Sequence, residues 1–206
     1  VEVTLDTGEE DTNNDFVNTQ FGKIIIDKVT NPSGSGQEFS FSLTGGPSVL
    51  NQNFSLTDAD TPHDSGDILP GSEYNASETV PDGWDLTSAT CDDGSLVNNI
   101  TVSSDETVTC TFTNTQRSHI LIIKDVIGNP DPQDFTFHNN FGNENPDTFL
   151  LDEDNDGTLP SSRDFEVLQG TYSVSEDPVD NWQSPESTSC TNGETIDSID
   201  VAPGET

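Results

Sequence analysis

The sequence predicts an all-β fold of tandem β-sandwich repeats, and three observations lead to that prediction. Its apolar residues stand in short β-branched or aromatic runs, such as Lys23-Ile-Ile-Ile and Phe39-Ser-Phe, rather than at helical spacing. Clusters of Gly, Pro, Asn and Asp separate these runs, as turns separate short strands. The whole pattern then recurs along the chain, which is typical of repeated domains.

Matched residues define the repeat. Lys124 follows Lys28 by 96 residues, and Cys190 follows Cys91 by 99. The small increase in spacing indicates short loop insertions in the second copy.

The segment Phe16-Val-Asn-Thr-Gln20 also matches Phe112-Thr-Asn-Thr-Gln116, again 96 residues later. We therefore expect three parts. Residues 1–20 form a final-strand segment that resembles a donor strand, 21–116 a complete sandwich repeat, and 117–206 a second repeat that lacks its C-terminal strand.

Charge limits the partners of this chain. Its 206 residues include 5 Lys and Arg against 39 Asp and Glu, for a net charge of −34. Such a surface repels nucleic acid and anionic lipid, so neither is expected as a partner. No apolar stretch reaches the roughly 18 residues of a membrane span, so membrane insertion is not expected.

Three strands each align one polar residue with apolar residues, because side chains two apart share a face of a strand. The sets are Ile24, Ile26 and Lys28; Tyr74, Ala76 and Glu78; and Phe112 with Asn114. Burying an unpaired charge is very costly. We therefore expect Lys28, Glu78 and Asn114 to meet in the core.

The second repeat has the same layout with one member absent. Lys124 and Glu176 occupy the positions of Lys28 and Glu78, and the missing last strand would supply the amide. Asn18, in the segment that copies this strand, has the right form. Two of the chain's three lysines stand at this position, which chance rarely produces.

These motifs resemble a known family. They are Lys28, the strand Tyr74–Glu78 that leads to Val80-Pro-Asp-Gly-Trp84, and Cys110-Thr-Phe-Thr-Asn114-Thr. Together they resemble the CnaB-type, prealbumin-like (SpaA-like) immunoglobulin-like domains of microbial surface adhesins and pilins. The resemblance covers residues 22–116 and, more loosely, 118–206. It implies Greek-key β-sandwiches and an extracellular, cell-surface location.

In that family a buried Lys, Asn and Glu can form a spontaneous isopeptide bond. The resemblance implies such a bond between Lys28 and Asn114, assisted by Glu78. It implies a second one, between subunits, for Lys124, Asn18 and Glu176. The alternative is a buried Lys–Glu pair with a hydrogen-bonded Asn and no covalent bond.

The three cysteines favour an oxidising compartment. Cys91 and Cys110 flank the last two strands of one repeat, where a disulfide fits. Cys190 has no counterpart of Cys110, so we expect a free thiol or a bond to another chain.

One acidic loop has the form of a weak calcium site. Asp152, Asp154 and Asp156 alternate ahead of Gly157 and could bind Ca²⁺. An EF-hand is excluded because Arg163 stands where its bidentate Glu belongs. The alternative is an acidic hairpin loop, and no cofactor is required.

The sequence contains no recognisable catalytic motif, so we do not expect an enzyme that acts on an external substrate. The favoured function is a structural subunit, or a tandem-repeat segment, of an extracellular filament, pilus or adhesin stalk. Its partners would be copies of itself, joined by strand complementation, or neighbouring repeats of a longer chain. The alternative is a cell-surface module that binds calcium, carbohydrate or a host protein through acidic loops.

Three Asn-x-Ser/Thr sequons occur, at Asn53, Asn75 and Asn99. They matter only if the chain meets a glycosylation system.

Overall fold

The computed structural model describes residues 18–127, 133–142, 145–154, 157–183 and 188–206. Throughout these ranges every regular element is a β-strand, and no helix there could span a membrane. In the first half the strands are β1 (Lys23–Asn31), β2 (Phe39–Gly45), β3 (Leu50–Leu56), β4 (His63–Asp64), β5 (Gly71–Thr79), β6 (Trp84–Cys91), β7 (Ile100–Val102) and β8 (Thr107–Gln116). In the second half they are β9 (Ser118–Ile123), β10 (Phe135–Asn139), β11 (Thr148–Leu151), β12 (Ser162–Val167), β13 (Gly170–Tyr172), β14 (Val174–Glu176) and β15 (Ile199–Val201).

The first half consists of two four-stranded sheets. One has the order β4-β1-β8-β6 and the other the order β3-β2-β5-β7. The first strand, β1, lies parallel to the last, β8, with Lys28 opposite Phe112 and Thr30 opposite Asn114. All other pairings in the two sheets are antiparallel.

Apolar side chains from both sheets form one core between them, so the two sheets are the layers of a sandwich. Burial alternates along β1 and β8, as expected for strands with one face in a core. The largest fully buried side chains here are Tyr74, Phe39, Phe112, Ile24, Ile26, Leu43, Ile68, Ile100, Val102 and Val108.

The second half repeats part of this arrangement around a separate core cluster. Strand β10 pairs with β11 and β14, as β2 pairs with β3 and β5. Strand β9 pairs with β12, as β1 pairs with β4. The predicted all-β sandwich class is therefore confirmed.

The two halves differ beside their first strand. Among the described residues β9 pairs only with β12, and no counterpart of β8 lies along its other edge. On its outer face Leu121 and Ile123 are 48% and 65% exposed. One backbone hydrogen bond at that edge has a counterpart in the first half. The N–H of His119 donates to the carbonyl of Glu205 at 2.8 Å, and the N–H of Lys23 donates to the carbonyl of Glu106 at the start of the β1–β8 ladder.

Candidate isopeptide site

Lys28 is buried near the end of β1, although it carries an ammonium group. Its side chain is 0% exposed. Nζ donates to Oδ1 of Asn114 at 2.8 Å, and to the backbone carbonyls of Val29 and Phe112 at 2.8 and 3.3 Å. The amine is therefore held against the side-chain amide of the neighbouring strand β8.

Glu78 reaches the same amide from the facing sheet. Nδ2 of Asn114 donates to its Oε2 at 2.9 Å, and its side chain is also 0% exposed. The other oxygen, Oε1, lies 3.6 Å from Nζ of Lys28 and accepts no hydrogen bond from the described residues. If the amide of Asn114 were flipped, its NH₂ group would face the N–H donors of Lys28. The two partners therefore fix the orientation, with Oδ1 towards Lys28 and Nδ2 towards Glu78.

Burial changes the proton affinity of both ionisable groups. Desolvation lowers the pKa of Lys28, while the Glu78 carboxylate acts in the opposite direction. Desolvation also raises the pKa of Glu78, against the hydrogen bond from Asn114 and the charge of Lys28. Both shifts favour a neutral amine beside a protonated carboxyl group, because a low-dielectric core penalises each charged form.

Aromatic rings pack around this cluster and shield it from solvent. Nζ of Lys28 lies 4.0 Å from the ring centroid of Phe39, whose edge-on neighbour is Trp84 at 5.3 Å. Phe41 packs edge-on against Phe112 at 5.2 Å. Sequence reasoning did not include Phe39 in the site. The signal was present, because Phe39 and Lys28 recur together as Phe135 and Lys124, each 96 residues on.

In the second half the structure brings together two of the three predicted residues. Nζ of Lys124 lies 3.1 Å from both carboxylate oxygens of Glu176, and 3.9 Å from the ring centroid of Phe135. These two ionic side chains are 11% and 12% exposed, so the site is less enclosed than the first. Asn18 is exposed at the start of the described chain, and its place beside Lys124 stays a prediction.

The structure joins two of the three cysteines in a disulfide. Cys91 and Cys110 are opposite one another on β6 and β8, with Sγ–Sγ at 1.96 Å. Cys190 is half-buried and has no disulfide partner among the described residues. Desolvation raises the pKa of its thiol, and the charge of Glu194 adds to the effect.

The acidic loop is described only in part, since Asp156 lies outside the described residues. Asp152 is buried, at 2% exposure, and accepts a hydrogen bond from Oγ1 of Thr158 at 3.3 Å. Within the described ranges no group of three His, Cys, Asp or Glu side chains is placed to hold a metal ion. Calcium binding at Asp152, Asp154 and Asp156 stays a prediction.

Several solved structures are similar to this chain at low identity. The Bacillus anthracis TIE protein is 21% identical, with 91% of this chain and 32% of that one covered at a TM-score of 0.40. A streptococcal ancillary pilin is 14% identical, with 90% and 60% covered at 0.34. A C-terminal fragment of the pilus adhesin SpaC from Lactobacillus rhamnosus GG is 16% identical, with 80% and 78% covered at 0.28.

This chain spans about a third of the first of these structures and 60% of the second. At such TM-scores the likeness carries no argument about function. No curated protein matches the chain.

A family model gives the more specific match, to residues 24–116, which contain Lys28, Glu78 and Asn114. The resemblance inferred from the sequence is thereby confirmed for this part of the chain. Residues 24–116 are similar to the family described as the prealbumin-like fold domain.

Proposed function

We propose that this chain is a structural module of an extracellular filament, pilus or adhesin stalk, cross-linked internally by an isopeptide bond between Lys28 and Asn114. The observation that carries the proposal is the fully buried contact of Lys28, Asn114 and Glu78 between the two sheets. An enclosed lysine amine held against an amide and a carboxyl group has little use in a binding surface. It has a clear use as a covalent tie within a load-bearing domain.

The reaction needs no external reagent. Neutral Nζ of Lys28 attacks Cγ of Asn114, while Glu78, protonated at the start, donates its proton to Nδ2. The Cγ–Nδ2 bond breaks and ammonia leaves, and the proton that the amine releases returns to the Glu78 carboxylate. Because Nδ2 already donates to Glu78 at 2.9 Å, the departing nitrogen is in direct contact with the proton donor. A rigid core supplies the effective concentration that drives such an intramolecular step.

The position of the bond suits a protein under tension. Strands β1 and β8, the first and last of this half, lie side by side and parallel. Force applied at the two ends of the half would therefore shear β1 along β8. A bond between Lys28 and Asn114, 86 residues apart, would carry that force directly and bypass the intervening sandwich.

For assembly, we propose that a strand like β8 completes the second half along the edge of β9 that has no partner strand among the described residues. An added strand satisfies the edge N–H and C=O groups and covers core side chains. The segment Phe16–Gln20 has the sequence of such a strand. Because residues 1–17 lie outside the described residues, the proposed role of this segment is supported by the sequence repeat and by the strand pairing of β9. The strand could come from a second copy or from a neighbouring repeat of a longer chain.

A donor strand from a second copy would bring Asn18 to Lys124 and Glu176 and allow a covalent bond between subunits. Electrophoresis under denaturing and reducing conditions, on material from the native source, tests this assembly. A ladder that disappears in the Asn18→Ala variant but persists in Asn13→Ala supports an intersubunit bond. A single 22.2 kDa band means non-covalent assembly, and one much larger species means a longer tandem protein.

The surface location is tested separately, by antibody labelling of intact and lysed cells. We expect intact cells to be labelled on filaments or stalks. Labelling only after lysis would contradict the proposed function.

A further inference from the structure

The outer face of the sheet β3-β2-β5-β7 carries hydroxyl and amide side chains in a chain that is otherwise strongly acidic. We name this surface the neutral face; its residues are Ser40, Ser42, Thr44, Asn51, Asn53, Ser55, Asn75, Ser77, Thr79 and Thr101. On these four strands the only carboxylates are Glu73, at the irregular start of β5, and the inward-facing Glu78. The neutral face therefore lacks the charge repulsion that separates other surfaces of this chain.

Two of the three sequons of the chain lie on strands of this face, and the third begins at Asn99, directly before β7, and ends at Thr101 on this face. Their asparagine and hydroxyl residues are Asn53 with Ser55, Asn75 with Ser77, and Asn99 with Thr101, and all six are exposed. Residues two apart in a strand point to the same side, so at Asn53 and at Asn75 the two side chains that define the sequon both face solvent. An exposed asparagine can carry a bulky glycan without disturbing the core.

The second half provides an internal comparison. At the matched repeat positions Thr148, Ser173 and Ser198 stand in place of the three asparagines, and the sequence contains no sequon after Asn99. The turn that holds Asn99 is itself repeated, since Asn99 donates its backbone N–H to Leu96 as Ser198 donates to Thr195. The fold is thus repeated at these positions, whereas the sequon is not.

We propose that the neutral face is an N-glycosylated surface, with glycans on Asn53, Asn75 and Asn99. In the modification, Nδ2 of the asparagine bonds to the anomeric carbon of an oligosaccharide. The bond from that carbon to the phosphate of a polyprenyl-linked donor breaks, and the phosphate leaves with the electron pair. The Nδ2 proton passes to solvent. A membrane-bound oligosaccharyltransferase of the producing cell supplies the catalyst.

The spacing leaves room for neighbouring glycans. Asn53 lies opposite Ser42 on β2, and Asn75 lies opposite Thr44, two residues further along the same strand. Ordinary strand dimensions place the two asparagines about 12 Å apart. Glycans at these positions would cover the neutral face and prevent copies from stacking through it.

Peptide mass spectrometry of the full chain from its native source tests the proposal. We expect the peptides that contain Asn53, Asn75 and Asn99 to carry sugar masses, and peptides from the second half to carry none. The Ser55→Ala variant, expressed in the same cells, should lose the glycan at Asn53 alone.

Ser40→Ala is the matched control, because Ser40 lies opposite Ser55 on the same face but belongs to no sequon. It should keep all three glycans. Native protein with all three asparagines unmodified would overturn the proposal. So would a glycan on Asn53 that persists in the Ser55→Ala variant.

Discussion

Burial of Lys28 and Glu78 removes two ionisable groups from water, and an ion pair rarely recovers that loss in full. The proposed isopeptide bond would remove the lysine charge, because Nζ would become an amide nitrogen, and burial raises the pKa of Glu78 and so favours its neutral form. The hydrogen bonds at Asn114 and the directions of both pKa shifts are those that such a reaction requires. The residue pattern thus fits the proposed reaction.

The Glu78→Gln variant tests the role of the carboxyl group. Gln keeps the size of the side chain but can neither donate a proton to the leaving nitrogen nor accept the proton that the amine releases. We expect the denatured variant to keep the ammonia that the wild-type chain loses, as measured by intact mass. Glu73→Gln is the control, since Glu73 lies on the same strand as Glu78 but is exposed to solvent. Equal ammonia loss in Glu78→Gln and wild type would contradict the mechanism.

Sequence alone located the members of this site because a strand alternates its faces, so Ile24, Ile26 and Lys28 must point the same way. It did not predict the parallel register that sets Lys28 beside Phe112 and Thr30 beside Asn114, because register depends on the whole sandwich. Sequence alone also missed the bidentate ion pair between Arg117 and Asp85, two residues that are 32 positions apart in the chain. Asp85 lies on β6 and Arg117 directly follows β8, so this contact depends on how these two strands pair, which local patterns do not specify.

At the scale of elements, the disulfide ties β6 to β8 within the sheet that carries Lys28. The two cysteines are 19 residues apart, and in the chain-entropy model a disulfide that closes a loop of this length raises the free energy of unfolding by about 3 kcal/mol. We expect the Cys91→Ala/Cys110→Ala double variant to lose up to about this amount, measured by denaturant unfolding of a Lys28→Met background. That background excludes the isopeptide bond, which would close an overlapping loop.

Cys190→Ser serves as the control in the same background, because Cys190 has no disulfide partner among the described residues. Its unfolding midpoint should stay close to that of the parent. A double variant as stable as its parent would show that the Cys91–Cys110 disulfide does not stabilise this half.

The second half shows how a neighbouring strand affects the exposure of side chains on β9. Strand β9 repeats the sequence pattern of β1, yet its outer side chains are more open where β8 has no counterpart among the described residues. The sequence pattern of β8 recurs at Phe16–Gln20, ahead of the first half, and the division of the chain that this recurrence suggests stays a prediction. Which chain supplies the completing strand depends on assembly, which a single sequence does not encode.

For the whole molecule, a net charge of −34 opposes compactness through self-repulsion. Salt shortens the Debye length from about 30 Å at 0.01 M to about 3 Å at 1 M and screens that repulsion. We therefore expect the melting temperature to rise with NaCl over this range, as followed by circular dichroism. A melting temperature that is unchanged or falls would mean that repulsion does not limit the stability of this chain.

The central claim is the bond between Lys28 and Asn114, and its most direct test is peptide sequencing of the denatured, reduced and digested chain by tandem mass spectrometry. Intact mass alone is less direct, because Asn192-Gly193 can also lose ammonia by forming a succinimide. We predict a branched peptide that joins Lys28 to Asn114, one ammonia lighter than its two parts and missing from the Lys28→Met variant. Linear peptides with an unmodified Lys28 and an intact Asn114 would contradict the account.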